Sequence, residues 1–278
     1  MLLRDYFRNA GIQHTAYLSA GEIPVIHPHL LKCIPDARTV VFAAVPYYVS
    51  GEDSNLAMFA RSRDYHAFAR ELGDGAAAVL RSRYPDVTAV AFADHSPYHE
   101  VAGAAKAGLG MVGDHGMLIT EAYSSFIFIF ELLTTLTPAE MEEEGISRGD
   151  GLLRSCEHCG ACARACPGQC VGGDRTRCLS AIGQKKGEWS HEETRLFRLG
   201  QYAWGCDVCG EVCPHTKRAR EAGTLDTPIP YFRENRLGKL TVRDLETMSD
   251  ETYSAYAFGW RRKEIMLRNL RLREDTHD

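Results

Sequence analysis

At 278 residues and 45% hydrophobic, the chain can bury a full core plus a smaller module, so one or two domains are expected. A formal net charge of -5 argues against binding nucleic acid through global charge, although not through a local basic face. No apolar run approaches the roughly 20 residues that cross a bilayer. The start, Met1-Leu2-Leu3-Arg4-Asp5-Tyr6, lacks the basic region and long apolar core of a secretory signal, so a reducing cytoplasm with no membrane association is expected.

A helical pattern of Leu2, Leu3, Tyr6 and Phe7 ends near Gly11. Thr39 to Val45 is a continuous apolar run, as a strand covered on both faces would be. A polar loop follows Pro46, and then a helix from about Met58 to Arg83, which Gly73 and Gly75 are expected to interrupt. Val87 to Ala93 reads as a second buried strand, delivering Asp94-His95-Ser96-Pro97 at its end. This alternation indicates an α/β layered domain, with functional groups at strand ends.

A helix from Tyr98 to Ala107 leads into Gly108-Leu109-Gly110-Met111-Val112-Gly113. The G-x-G-x-x-G spacing is weak evidence for a dinucleotide, because these glycines follow a helix and precede the expected strand Met117 to Ile119; the fingerprint needs strand, glycines, helix. Ser125 to Thr135 is a core strand or strand pair, and Pro138 to Asp150, with Glu142, Glu143 and Glu144, a solvated helix or linker.

Cys156, Cys159, Cys162 and Cys166 then read C-x2-C-x2-C-x3-C-P, and after Cys178 the residues Cys206, Cys209 and Cys213 read C-x2-C-x3-C-P. Short gaps place three sulfurs on one cubane, and the Cys before Pro167 or Pro214 is directed to the other cluster. Two 4Fe-4S clusters are therefore expected, one held by Cys156, Cys159, Cys162 and Cys213, the other by Cys178, Cys206, Cys209 and Cys166. Zinc accounts for neither the fourth Cys of each run nor the prolines, and disulfides do not suit a reducing compartment. Of ten cysteines, Cys33 and Cys170 are left over: Cys33 reads as a small apolar residue, and Cys170 as a bystander that could replace a ligand. Beyond Cys213 come an extended segment at Thr227 to Pro230, a short acidic helix at Thr241 to Tyr253, and a basic helix at Trp260 to Arg273. That last helix is either packed with a solvated charged face or phosphate-contacting.

Several stretches together resemble one family: Phe59 to His66, Asp94 to Pro97 followed by Glu100, Ala107 to Gly113, Arg177 to Ser180 with Lys186 and Gly187, Gly205 to Pro214, and Arg262 to Asn269. In order and spacing they are similar to the motifs of epoxyqueuosine reductases. The resemblance implies an α/β (α+β) fold with a nitroreductase-like cobalamin-binding domain, also resembling reductive dehalogenases, over residues 1-150. It implies a ferredoxin-like two-cluster module over 151-225, and a C-terminal segment over 226-278 whose basic helix packs back on the core. The implied reaction is reduction of the wobble-position epoxyqueuosine of tRNA to queuosine, in a monomer fed by a low-potential donor such as ferredoxin or flavodoxin.

By the same resemblance Asp94 is the proton donor, its neutral form favoured by burial, and Arg61, Arg63, Asp64, Tyr65, His66, Gly108, Gly110 and Gly113 line the cobalamin pocket. Read without it, Asp94 could cap the helix from Tyr98, and Arg61 to His66 would be a polar helix face. His95, His99 and His115 match no motif position, and none is placed on cobalt. Val101 and Asp114 stand where the family usually carries basic residues, and the chain ends at Asp278 without the family's helical-repeat extension. These departures favour a small-molecule substrate on the same scaffold; a two-cluster electron carrier is the third reading.

Overall fold

The structure, a computed structural model, describes residues 1–274; positions 275–278 of the expected C-terminal segment lie outside the described residues. The chain divides into two compact units, Met1–Pro46 with His66–His158, and Tyr47–Tyr65 with the chain from Cys159 onward. This differs from the three consecutive segments expected: residues 47–65 join the cysteine-rich unit, and the C-terminal segment belongs to it as well.

The first unit contains α1 (Leu3–Asn9), β1 (Thr15–Ser19), β2 (Thr39–Pro46), α2 (Tyr65–Arg81) from its second residue onward, β3 (Ala89–Phe92), α3 (Glu100–Lys106), β4 (Met111–Val112), β5 (Leu118–Ile119), β6 (Ile127–Thr134) and α4 (Pro138–Glu143). Its main sheet has the order β1-β2-β6-β3, and every pairing is antiparallel, so the domain is the α+β form of the expected class. The apolar run of β2 is buried along its whole length, as its composition requires.

α2 does not break at Gly73 and Gly75. Gly73 lies against the Ala91 methyl of β3 and Gly75 against the Tyr6 hydroxyl, places where a Cβ would collide. Each lack of a side chain lets helix and neighbour close up, an advantage that outweighs the roughly 1 kcal/mol propensity cost. The acidic stretch is solvated only in part. Glu144 is fully buried, accepts from the N–H of Leu3 at 2.8 Å and pairs with Arg83 at 2.7 Å, satisfying the first turn of α1.

The second unit is a set of short helices: α5 (Ala161–Ala165), α6 (Leu179–Gln184), α7 (His191–Arg198), α8 (Val208–Glu211), α9 (Pro214–Glu221), α10 (Pro230–Arg233), α11 (Val242–Thr247), α12 (Asp250–Ser254) and α13 (Lys263–Glu274). Leu56, Trp204, Phe258, Met266 and Leu270 form its core. The single acidic helix expected at Thr241 to Tyr253 is two, because Met248 is extended and Ser249 caps a new start by accepting from Thr252. Among the described residues no helix is long and apolar enough to cross a membrane.

Candidate active site and cluster-binding segment

β3 delivers Asp94 at its end, as expected, but neither burial nor capping describes it. Its side chain is 58% exposed, with Oδ2 3.6 Å from Nε2 of His66 on α2. The first residue of α3 is Glu100 and its cap is His99, which accepts from Ala102, so Asp94 is not the cap of α3. Asp94 instead has φ +64 and is the apex of a three-residue turn closed by the N–H of His95 on Ala93 at 2.8 Å. A non-glycine residue in such a turn is rare and strained.

Two further carboxyls lie under this turn. Glu100 accepts from the Asp94 backbone N–H, and burial, then the charges of Glu131 and Asp94, push its carboxyl up to about 9. Glu131, in the middle of β6, is fully buried; burial pushes it up to about 8, against a hydrogen bond from the Ser96 hydroxyl. Both Oε1 atoms lack hydrogen-bond partners. Neither Glu131 nor Ser96 was singled out from the sequence, although an acid alone inside the apolar run Ile127–Thr134 was a readable signal.

A cavity of about 180 Å³ beside the turn is lined by His66, Arg70, Phe92 and His95 among others. The glycine segment follows α3 and enters the β4–β5 hairpin, which rules out the dinucleotide arrangement. A Cβ on Gly110 would strike the Ile119 carbonyl, whereas Gly108, at φ +84, has open space at that position. Asp114 pairs with His158 at 2.6 Å, and the Cys156 thiol lies close to both.

Arg61, Arg63, Asp64 and Tyr65 lie in the second unit. Residues 61–64 precede α2, so the polar helix face does not form. Arg61 is buried and donates to the carbonyls of Leu56 and Glu52 at 2.9 and 3.2 Å. Asp64 hydrogen-bonds through its backbone to Ala255 and Tyr231.

In the cysteine segment, α5 carries Cys162 and packs on α8, which carries Cys209. Burial first, then the Asp207 charge and after it the neighbouring thiols Cys178 and Cys166, push Cys206 up to about 11; Cys209, near these three thiols, rises to about 12, again chiefly through burial. Cys206 and Cys209, which resist ionisation beside Cys166 and Cys178, are donors that a cationic iron core relieves, and the four together are the set expected for the second cluster. Cys170 is closer to it than expected, its Sγ 3.4 Å from that of Cys166. Asp207, within the Cys206–Cys209 spacing, was also missed. It is buried, accepts from the Met58 N–H at 2.6 Å, and is pushed up to about 7 by burial.

The basic helix turns part of its charge inward. Arg273 is buried, donates to the Tyr202 carbonyl at 2.9 Å and stacks on Phe197. Arg268 stacks on Trp189 and donates to carbonyls of Gly183, Lys185 and Gly187. Arg271 remains exposed, beside Glu246 at 3.2 Å.

Residues 155–216 match the family model of a 4Fe-4S double cluster binding domain. The epoxyqueuosine reductase of Staphylococcus aureus is 30% identical over 252 residues, 85% of this chain and 63% of that protein. That of Gloeobacter violaceus is 27% identical over 269 residues, 91% of this chain and 81% of that protein. Along most of its length the chain is similar to epoxyqueuosine reductases. It thus spans less than two thirds of the Staphylococcus aureus reductase. The fold is theirs too: the Streptococcus thermophilus epoxyqueuosine reductase matches with TM-score 0.78 at 20% identity, over 99% of this chain and 81% of that one. An epoxyqueuosine reductase with an epoxyqueuosine-modified tRNA-Tyr stem loop matches at 0.75 and 21% identity, over 98% and 79%. The Bacillus subtilis epoxyqueuosine reductase, with its catalytic aspartate loop swung out of the active site, matches at 0.73 and 19% identity, over 98% and 79%.

Proposed function

We propose that this chain reduces epoxyqueuosine to queuosine in the tRNA anticodon, using two 4Fe-4S clusters and cobalamin. The observation that carries the reading is the likeness to epoxyqueuosine reductases along most of the chain, motifs of both units included. The reaction takes up an electron pair and a pair of protons and releases the epoxide oxygen as water. The clusters supply electrons singly, and a bound cobalamin supplies a cobalt centre able to attack or reduce the epoxide.

The cluster ligands are Cys156, Cys159, Cys162 and Cys213, and Cys178, Cys206, Cys209 and Cys166. Arg61, Arg63, Asp64, Tyr65, His66, Gly108, Gly110 and Gly113 are assigned to cobalamin, and the open space at Gly108 suits the close approach of a large ligand. Arg61 also holds this segment through its carbonyl contacts. Asp94 is the general acid. Its exposure lets it reach a substrate, and His66, with Nε2 3.6 Å from Oδ2, is placed to pass a proton to the carboxylate, which the neutral acid then delivers. A low-potential donor such as ferredoxin or flavodoxin feeds the clusters, and the protein acts in the cytoplasm as a monomer.

The test is anaerobic turnover of epoxyqueuosine-containing tRNA against the free nucleoside, by wild type and Asp94→Asn with both cofactors in place. The expected result is preference for tRNA and a loss of about 10²-fold or more in the variant. Use of neither substrate by a fully loaded wild type would remove the reading in favour of a small-molecule reductase. Undiminished turnover by Asp94→Asn would remove Asp94 from the chemistry.

A further inference from the structure

Glu131 occupies a position where a carboxyl is costly. Its register partners are Phe42 of β2 and Phe92 of β3, and both rings belong to the hydrophobic cluster that includes α3. It is fully buried, with Oε1 unpartnered and Oε2 accepting from the Ser96 hydroxyl. Desolvating an acid in such a layer lowers stability, and an apolar residue would pack there without that cost. A carboxyl retained at that cost calls for a task that packing does not supply.

We infer that Glu131 is a positioning residue: acting through Ser96, it anchors the strained turn that presents Asp94, while Glu100 ties the same turn at the Asp94 backbone. The inference rests on the assignment of Asp94 as general acid.

The connections run in sequence. Ser96 Oγ, held by Glu131, accepts from the Tyr98 N–H at 3.1 Å. The Pro97 carbonyl accepts from Ile26 and His27 at 2.8 and 3.0 Å, and the His27 ring meets the Ser96 carbonyl at 2.9 Å. Asp94 N–H donates to Glu100. A left-handed non-glycine turn persists only where its surroundings over-determine it, and these bonds are that surrounding.

The titratable groups around Glu131 are Glu100 on α3, Asp94 beyond it, Tyr98, whose phenol is raised by burial and then by the Glu131 charge, and His27 at the far side of Ser96; the flanking strands present Phe42 and Phe92. Glu131 at about 8 and Glu100 at about 9 are both protonated at neutral pH. The folded state therefore holds protons that ordinary carboxyls release near 4.5. The stability that the protonated pair contributes is fully present below about 4.5, is lost progressively as pH rises to about 8 to 9 and levels off above, as adjacent negative charges enter an apolar layer.

The experiment compares wild type, Glu131→Gln, Glu131→Ala and Ser96→Ala between pH 6 and 10 by two readouts. The first is hydrogen exchange of the Asp94 and Tyr98 amides, corrected for intrinsic rates, which needs no turnover. The second is anaerobic kcat and KM on epoxyqueuosine-containing tRNA. Wild type should lose amide protection roughly 10-fold or more between pH 6 and about 8 to 9 and level off above, and Glu131→Gln, neutral at all pH and still an acceptor, should keep most of it. Glu131→Ala should lose protection at every pH and about 10-fold or more in kcat with KM little changed. Ser96→Ala, which leaves the sheet filled, should do the same and decides the matter if Glu131→Ala does not fold. Unaltered protection in folded Ser96→Ala, or a Glu131→Gln profile that follows wild type, overturns the inference. Loss of protection as expected in a wild type that turns over no tRNA keeps the anchor and removes the functional reading instead.

Discussion

Asn269 offers the sharpest test of how the second unit holds together. It is fully buried, and its Nδ2 donates to the carbonyls of Gly183 and Ala203, both at 2.9 Å. Its Oδ1 accepts from Arg268 at 3.1 and 3.2 Å. One amide thus ties α13 to the end of α6 and to the strand-like segment leading into Cys206. Asn269→Ala leaves the buried Ala203 carbonyl without its donor, at a cost of about 1–3 kcal/mol, leaves the Gly183 carbonyl with Arg268, and opens a small cavity, so the variant should be destabilised by about 3 kcal/mol. For a chain of this size that corresponds to a melting temperature lower by roughly 6–12 °C. Asn269→Asp, nearly isosteric, should cost at least as much, because it turns carboxylate oxygen toward the same carbonyls. The assay is anaerobic thermal and urea unfolding followed by tryptophan fluorescence, with iron counted before each run. An Asn269→Ala protein within about 0.5 kcal/mol of wild type, or an Asp variant milder than Ala, would refute the reasoning.

Two other outcomes follow from the same unit. Arg271→Glu should keep the fold, since its exposed pair with Glu246 is worth under about 1 kcal/mol, and should weaken tRNA binding with a flatter salt dependence; Arg273→Glu should instead unfold the unit, which circular dichroism separates from a binding defect. After anaerobic reconstitution the wild type should carry about eight iron and eight sulfide, Cys209→Ser should fall toward half of that, and Cys170→Ser should stay near the full count. A Cys170 variant that loses a cluster would make Cys170 a ligand.

The cysteine sites were legible because iron-sulfur chemistry writes its geometry into spacing, and spacing survives in one dimension. Arg273 was legible in principle: it lies seven positions after Met266 and three after Leu270, the buried face of α13, yet charge was read before periodicity. The break expected at Gly73 failed for the opposite reason, since a glycine tolerated within a helix is explained only by the neighbour it touches, here Ala91. The exposure of Asp94 could not be read at all. A buried strand end and an exposed left-handed turn one residue later have the same local sequence, and the bonds that separate them come from Glu100 on the next helix and from Glu131, distant in the chain.

The match to a double-cluster domain covers residues 155–216, which invites treating that stretch as a portable ferredoxin. The division of the chain says otherwise, because residues 47–65 belong to the same compact unit. Leu56 forms a bridge with Trp204, the Met58 N–H is the donor that accompanies Asp207 into the interior, and Ala57 and Phe59 lie against Gly205. Excised at its motif boundaries, the module would expose Trp204 and leave a buried acid beside Cys206 with its backbone donor gone. Grafts, chimeras and minimal electron-transfer fragments built from this protein must therefore carry a piece of chain drawn from before the cysteines by nearly a hundred positions, supplied either in trans or by a redesigned connection.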